Sequence, residues 1–500
     1  MIGENRADDV DRTDGAGRAD DEDRTNGTDR VNGAVRADRE RDLKLAYYGD
    51  DFTGSTDVLE SLALHGIETV LFLEPPEPSA LEAFEDVEAV GVAGRSRTMS
   101  PAEMDEHLPQ VFEALDALGA DLFHYKVCST FDSSPEVGSI GHAIDLGWEA
   151  FGSEWVPLVA GAPPLAPRGR YVVFGNLFAT VDGETHRLDR HPTMRDHPVT
   201  PMTEADLRRH LAAQTDRTIG LVDVLDLADD PDSALSREFV DHDIVCFDTL
   251  DEADLVAVGR VVWERASEEA GTTFAVGSSG LDYALAAHWE SAGAIEAAEP
   301  PKPPEPVDRI AVMSGSASPA TAAQIDWALE NGFAGVRLDT EALIDPDRGE
   351  EAMERAVASG LDALLGGESV VLYAARGTDD PAIAKTRTRG EDLGLTSTEL
   401  GRRLGERQGA ILRELVTGAE LRRACVAGGD TSGYVAPALS VYALEFAAVV
   451  GPGSPLCRAR SHDGRFDGIE IALKGGQVQT TNEEADYFEL VRQGGAQRMD

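Results

Sequence analysis

From Leu43 onward apolar residues arrive in short blocks, and the blocks alternate with stretches of helical spacing. The runs LKLAYY, TVLFL, AVGVAG, LFHYKV, RYVVFGN, DIVCFD and FAVGSS are brief and nearly continuous in apolar character, which predicts strands buried on both faces. Between them, DVLESLALHG and EMDEHLPQVFEALDALG repeat apolar residues three and four apart, as amphipathic helices do. A second series starts at RIAVMSGS and runs through SVVLYAA and ACVAGGDTSG to GIEIALKGG. Strand–helix alternation of this kind predicts an α/β fold built on parallel sheets with helices on both faces. The proline-rich stretch AAEPPKPPEPVD, residues 297–308, separates the two series and predicts an extended linker. The expected organisation is two parallel-sheet α/β domains, 43–296 and 309–500, joined by that linker.

Residues 1–42 have a different texture. Arg6, Arg12, Arg18, Arg24, Arg30 and Arg36 recur every six residues among Asp, Gly, Thr and Asn. A parallel β-helix would need a periodic apolar residue, and there is none, so a disordered acidic tail is expected. The tail holds 13 acids and 8 arginines, a small part of the formal charge of −48 on the 500-residue chain. The acidity therefore belongs to the folded body. Lysine is scarce: Lys44, Lys126, Lys302, Lys385 and Lys474 are the whole set. Such a surface repels itself in dilute buffer and is quieted at molar salt, which points to a salty cytoplasm. No basic stripe offers itself to nucleic acid, so that partner is not expected.

No apolar run approaches the roughly 20 residues of a membrane span, and the polar N-terminus is unlike a secretory signal. A soluble, cytoplasmic protein is expected, without a membrane partner and compatible with a homodimer. Four cysteines are too few for a disulfide framework, and Cys246 and Cys425, within apolar runs, read as buried thiols. The eleven histidines form no metal-binding pattern, and no metal-ligand residues are assigned.

Ligands of open parallel sheets bind at the carboxyl ends of strands, so the polar residues after each apolar run are the candidates. In the first series these are GDDFTGSTD from Gly49, GRSRT (94–98) and YKVCSTFDSSPEVGSIG (125–141). Asp50 and Asp51 exceed what one helix cap needs; they are suited to accept hydrogen bonds from hydroxyls, and one of them to take a proton. Arg95, Arg97 and Lys126 suit a carboxylate. In the second series SGSASPAT (314–321), GGDTSG (428–433), GPGSP (451–455) and LKGG (473–476) resemble a phosphate site. Glycines let backbone N–H groups approach an anion, and a helix start adds its positive end. Lys474 is placed by sequence to meet phosphate oxygens. There is no Walker A pattern and no clean Gly-x-Gly-x-x-Gly fingerprint, so neither a P-loop nor a standard dinucleotide fold is expected.

Taken together, the motifs make the ordered chain, about 43–490, resemble the four-carbon acid sugar kinases. YYGDDFTGSTD looks like that family's ADDFTGA signature, and GRSRT is similar to its arginine motif. VMSGSASPATAAQI, AGGDTSGYVAPAL and LKGG follow in the family's order. The resemblance implies an N-terminal sugar-acid domain, a C-terminal nucleotide domain and an active site in the cleft between them. ATP would phosphorylate a terminal hydroxyl of 3-oxo-tetronate, threonate or erythronate, with Mg2+ bridging the phosphates. Asp50 and Asp51 would be catalytic, and Arg95, Arg97, Lys126, Ser129 and Asp132 would face the acid. Ser314, Ser316, Gly428, Gly429, Thr431, Gly451, Gly453, Lys474 and Gly475 would line the nucleotide site. YKVCSTFDSS looks like the 3-oxo-tetronate version of its segment, while LKGGQVQTTNEEADYF departs from the family's usual ending at Gln477 and Gln479. An NAD-dependent hydroxy-acid dehydrogenase and a non-catalytic sugar-acid sensor are the alternatives.

Overall fold

The computed structural model describes residues 43–84, 86–165, 169–181, 183–197, 199–269, 271–295, 302–476, 478 and 486–495. The acidic segment 1–42, the start of the proline-rich stretch, and Gln477 and Gln479 lie outside the described residues. The described residues belong to one compact unit.

The N-terminal half contributes β1 (Leu45–Gly49), β2 (Thr69–Phe72), β3 (Ala89–Ala93), β4 (Leu122–Lys126) and β5 (Val156–Val159). An antiparallel trio follows: β6 (Arg170–Val173), β7 (Asn176–Val181) and β8 (Glu184–Arg187). Then come β9 (Ile219–Val222), β10 (Ile244–Phe247) and β11 (Thr273–Gly277). The C-terminal half contributes β12 (Ala311–Ser314), β13 (Phe333–Arg337), β14 (Ser369–Tyr373) and β15 (Arg423–Ala427). It ends with β16 (Val441–Gly451), β17 (Ser454–Ser461) and β18 (Glu470–Lys474). The helices that matter below are α1 (Phe52–Leu64), α2 (Leu207–Leu211), α3 (Pro319–Glu330), α4 (Gly429–Ala438) and α5 (Tyr487–Gln493).

Parallel strands run β2-β3-β1-β4-β11-β5-β10-β9 in the first half and β13-β14-β12-β15-β18 in the second. β17 and β16 extend the second set in antiparallel fashion. β16 then pairs antiparallel with β2, Leu444 opposite Leu71, so the two expected sheets are one hydrogen-bonded surface of 15 strands. That pairing covers what would otherwise be an open edge on each half.

Two local expectations change. RYVVFGN is not a buried parallel strand: β6 turns at Phe174–Gly175 and pairs with β7 in the small antiparallel sheet, with Val172 buried and its neighbours half-exposed. A four-residue apolar run ending in Phe-Gly is a hairpin arm as readily as a core strand. β5, with the sequence VPLV, is a core strand that its proline disguised. The described part of the linker, from Lys302, is docked rather than a free spacer. Arg423 Nη2 donates to Glu305 O at 2.9 Å, and Val307 N donates to Arg492 O at 3.0 Å. Among the described residues no helix is long and apolar enough to cross a membrane.

Candidate active site

β1 ends at Gly49, where a methyl group would fall 2.0 Å from Ser55 Oγ, so the chain can turn tightly into α1 only with glycine here. Asp51 is the N-cap of α1 and accepts from Gly54 N at 2.8 Å, which meets one of the free N–H groups of the first turn. Asp50 is held by its backbone between the neighbouring strands: its N–H donates to Lys126 O at 2.8 Å and its carbonyl accepts from Arg97 N at 3.0 Å.

Both carboxylates converge on one guanidinium. Arg97 Nη2 donates to Asp50 Oδ1 at 2.6 Å and to Asp51 Oδ1 at 2.8 Å. Its Nε donates to Asp50 Oδ2 at 3.2 Å and its Nη1 to Asp51 Oδ2 at 2.7 Å. Burial alone would lower this guanidinium, but the two carboxylates outweigh burial and hold it well above the usual arginine range. An arginine has five donors, and these bonds use all but one. Arg97 is therefore spent on the acids and is not the free carboxylate receptor that the sequence led one to expect. Arg95 is the exposed cation of the pair, its backbone N–H fixed on Tyr48 OH at 3.2 Å.

Lys126, at the end of β4, is 2% exposed and reaches under α1 to Asp57 Oδ2 at 3.7 Å. A Cβ on Gly54 would lie 3.1 Å from Lys126 Nζ and 2.6 Å from Asp51 Oδ1. Beyond Lys126 the chain forms a tight turn through Phe131, whose φ is 57°. Thr130, Phe131 and Ser133 are buried, while Ser129 and Asp132 are half-exposed. Thr130 Oγ1 donates to Asp132 Oδ1 at 2.8 Å, which leaves the other carboxylate oxygen for a ligand. Cys128, at the start of this turn, is close enough to Arg97 to feel its charge.

In the C-terminal half Gly428, with φ 130°, is the N-cap of the ten-residue α4 and offers no side chain, so the first N–H groups of the helix have no side-chain cap. A Cβ on Gly428 would lie 3.3 Å from Ser316 N, and one on Gly476 would lie 2.7 Å from Ser316 Oγ. Three loops thus close on a cradle that side chains would fill, and such a cradle fits phosphate. Ser314 is fully buried beneath it, and Thr431 packs over Gly315, whose Cβ would fall 2.0 Å from Thr431 Oγ1. Gly429 and Gly475 both face Thr53 of α1, at 3.8 and 3.1 Å from their would-be Cβ atoms, so the cradle meets the acid cluster there.

Three expected cradle residues are elsewhere. Lys474 is fully buried; its Nζ donates to Thr321 Oγ1 at 3.1 Å and lies 5.7 Å from the centre of the Tyr487 ring. Burial lowers its pKa to about 8. It ties β18 to the first turn of α3, where Ser318 Oγ and Thr321 Oγ1 also donate to Gly476 O, and it does not point into open space. Gly451 and Gly453 form the turn of the β16–β17 hairpin, not a loop between strand and helix, because the apolar run continues past SP into an antiparallel strand. The hairpin tip reaches α1 instead: Thr56 Oγ1 donates to Gly453 O at 3.2 Å, and Asp57 packs on Gly453.

Asp57 and Glu60 lie outside the predicted site residues, although both follow the acid pair on the same helix, α1. Burial, then the Asp57 charge, push the Glu60 carboxyl well above its usual range, against the pull of the Gly453 and Ser454 N–H groups. The signal available in the sequence was spacing: residues 53, 56, 57 and 60 share one face of a helix.

An acid–arginine cluster at one set of strand ends, meeting a glycine cradle with an uncapped helix at another, defines a class: a phosphotransferase acting on a small hydroxylated molecule. The comparisons with known proteins agree. Residues 45–285 match the model of a sugar-binding N-terminal domain, and residues 311–481 that of a nucleotide-binding C-terminal domain. The chain is 49% identical to a 3-oxo-isoapionate kinase of Paraburkholderia graminis, over 90% of this chain and 94% of that protein. It is 31% identical to a 3-oxo-tetronate kinase of Pseudomonas fluorescens, over 86% and 93%. A solved Salmonella typhimurium LT2 structure, 26% identical and provisionally named a tRNA synthase, superposes with a TM-score of 0.68 over 87% of this chain and 96% of that one. The chain belongs to the family of these sugar-acid kinases and is an enzyme, a phosphotransferase with an alcohol group as acceptor.

Proposed function

We propose that the enzyme transfers the γ-phosphoryl group of ATP to a terminal hydroxyl of a 3-oxo sugar acid in the cytoplasm, with 3-oxo-isoapionate the first candidate and 3-oxo-tetronates the second. The observation that carries this reading is the meeting at Thr53 of the Asp50–Asp51–Arg97 cluster with the Gly428–Gly429 and Gly475 loops. The relatives' names support the choice of acid. They also weigh against the dehydrogenase and sensor alternatives.

In this reading the N-terminal half, 43–296, holds the acid and the C-terminal half, 309–500, holds the nucleotide. Asp51 is the reacting carboxylate, because its side chain is 29% exposed while that of Asp50 is 4% exposed. Asp50 anchors Arg97, and Arg97 holds the Asp51 carboxylate in place. Arg95 meets the substrate carboxylate, and Ser129 and Asp132 meet its hydroxyls. The N–H groups at the start of α4 take the phosphates, with Ser316 and Gly475 closing the cradle. Asp430, exposed in the first turn of α4, would hold a Mg2+ ion, which supplies charge neutralisation on the phosphates. Phosphoryl transfer asks for little covalent help, so positioning and charge do most of the catalysis.

The test is ADP release by the full chain with ATP and Mg2+ in molar potassium chloride, across 3-oxo-isoapionate, 3-oxo-tetronates, D- and L-threonate and D-erythronate. Turnover with a 3-oxo acid and not with its reduced counterpart supports the reading. ATP bound without turnover on any acid overturns the substrate, and no ATP bound overturns the whole.

A further inference from the structure

His210 stands outside every motif that marks the site. It lies on α2, in the segment that returns from the small antiparallel sheet to β9. Its Nε2 is 2.8 Å from Ser133 Oγ. Gln214 Nε2 donates to the same oxygen at 3.0 Å, and that oxygen lies 3.2 Å from Phe131 O. The Gln214 amide is oriented by its other end, where Oε1 accepts from Gly141 N at 3.2 Å and Ser139 Oγ at 3.3 Å.

A hydroxyl has one hydrogen and two lone pairs. The Phe131 carbonyl can only accept, so the Ser133 hydrogen goes there. Gln214 can only donate through Nε2, so His210 must donate as well, from Nε2–H. Only one arrangement satisfies every group. Burial, which lowers the His210 pKa to about 4, favours the neutral imidazole, so the one proton it carries sits on Nε2.

The node has a mechanical purpose. Phe131 adopts a left-handed backbone that L residues other than Asn and Asp rarely hold. Its carbonyl is fixed by Ser133, and its ring meets the His210 ring edge-on with centroids 5.9 Å apart. This turn is what buries Thr130 and Ser133 while it leaves Ser129 and Asp132 accessible.

We propose that His210 is a positioning residue for the acid substrate: by donating Nε2–H to Ser133 it holds the Phe131 turn in the shape that presents Ser129 and Asp132. The inference rests on the reading that the acid binds beside this loop.

The experiment is steady-state kinetics of the full chain, with acid and ATP varied separately, for wild type, His210→Ala and His210→Gln. His210→Ala should raise the KM for the acid about tenfold or more while the KM for ATP stays within about twofold. Glutamine reaches with Nε2 much as the imidazole does, so His210→Gln should restore most of the acid affinity. If His210→Ala does not fold, Ser133→Ala must give the same selective rise. An unchanged KM for the acid, or acid and ATP constants that rise together, overturns the proposal and leaves the functional reading intact. A wild type that turns over no sugar acid overturns both.

Discussion

Lys126 Nζ lies 3.7 Å from Asp57 Oδ2, directly under the bare Cα of Gly54. The lysine is almost wholly buried, and Asp57 is the carboxylate paired with it. Breaking such a pair from one side strands a charge, at a cost of about 2–4 kcal/mol, below the fully buried figure because Asp57 is partly open to solvent. Asp57→Ala should lose about that much in urea unfolding. The double variant Asp57→Ala with Lys126→Met should recover most of it; a double variant as unstable as the single one would show that the pair is not what holds Lys126.

Gly54→Ala tests the same space from above. The new methyl would sit 2.6 Å from Asp51 Oδ1 and 3.1 Å from Lys126 Nζ, so it must push both from their places. A displacement of about 1 Å in a catalytic group costs roughly 10²-fold in rate. Turnover should therefore fall by about that factor while the circular dichroism spectrum stays that of the wild type. Full activity would mean that neither side chain needs its present position.

Asp51→Asn separates capping from chemistry. Asparagine is as good a cap as aspartate, so α1 should keep its first turn. The charge facing Arg97 and the proton acceptor are both lost. Turnover should drop by about 10²–10⁴-fold, the usual worth of a general base, with nucleotide affinity measured by calorimetry unchanged. Turnover that survives with only the KM for the acid raised would make Asp51 a binding residue.

Gly428 has φ 130°, and a Cβ there would also crowd Thr431 Oγ1 at 3.0 Å and Ser316 N at 3.3 Å. Gly428→Ala should strain the loop by about 1–3 kcal/mol and turn the α4 N–H groups away. ATP binding should weaken by about tenfold or more, with acid binding untouched. Equal losses for both ligands would place the nucleotide elsewhere.

How much of this was visible in the chain can be judged from particular residues. The strand ends were legible because parallel strands advertise themselves as apolar runs, and ligand residues follow them. Asp50, Asp51, Ser316, Gly428 and Gly475 are singled out in that way, and the structure sets them at or just beyond strand ends. The partners of the cations were not legible. Arg97 and Lys126 looked alike as free positive charges, yet one is locked by two carboxylates and the other hidden under a glycine, and both facts depend on chain crossings that no local pattern encodes. Gly451 and Gly453 read as a phosphate loop because, in sequence alone, a glycine turn that closes a hairpin looks like one that receives an anion. His210 carried no signal at all, since its partner, Ser133, is 77 residues away. The joining of the two sheets through β2 and β16 was equally silent, because edge pairing is a tertiary choice.

Lys474 gives the pH test. Its pKa in the folded protein is about 8, against about 10.4 for an unfolded lysine. Between those values the unfolded chain binds more protons than the folded one, so this residue makes stability rise with pH across the window and is neutral in effect above it. The rise amounts to roughly 3 kcal/mol if the whole shift is realised. Lys474→Met removes the group, so the wild type should gain by up to that amount on the variant as pH goes from 8 to about 10.4, measured as the difference in urea unfolding free energy at each pH in the same salt. A difference that stays flat across the window would mean that Lys474 remains charged in the fold, its burial offset by the nearby Asp486 carboxylate.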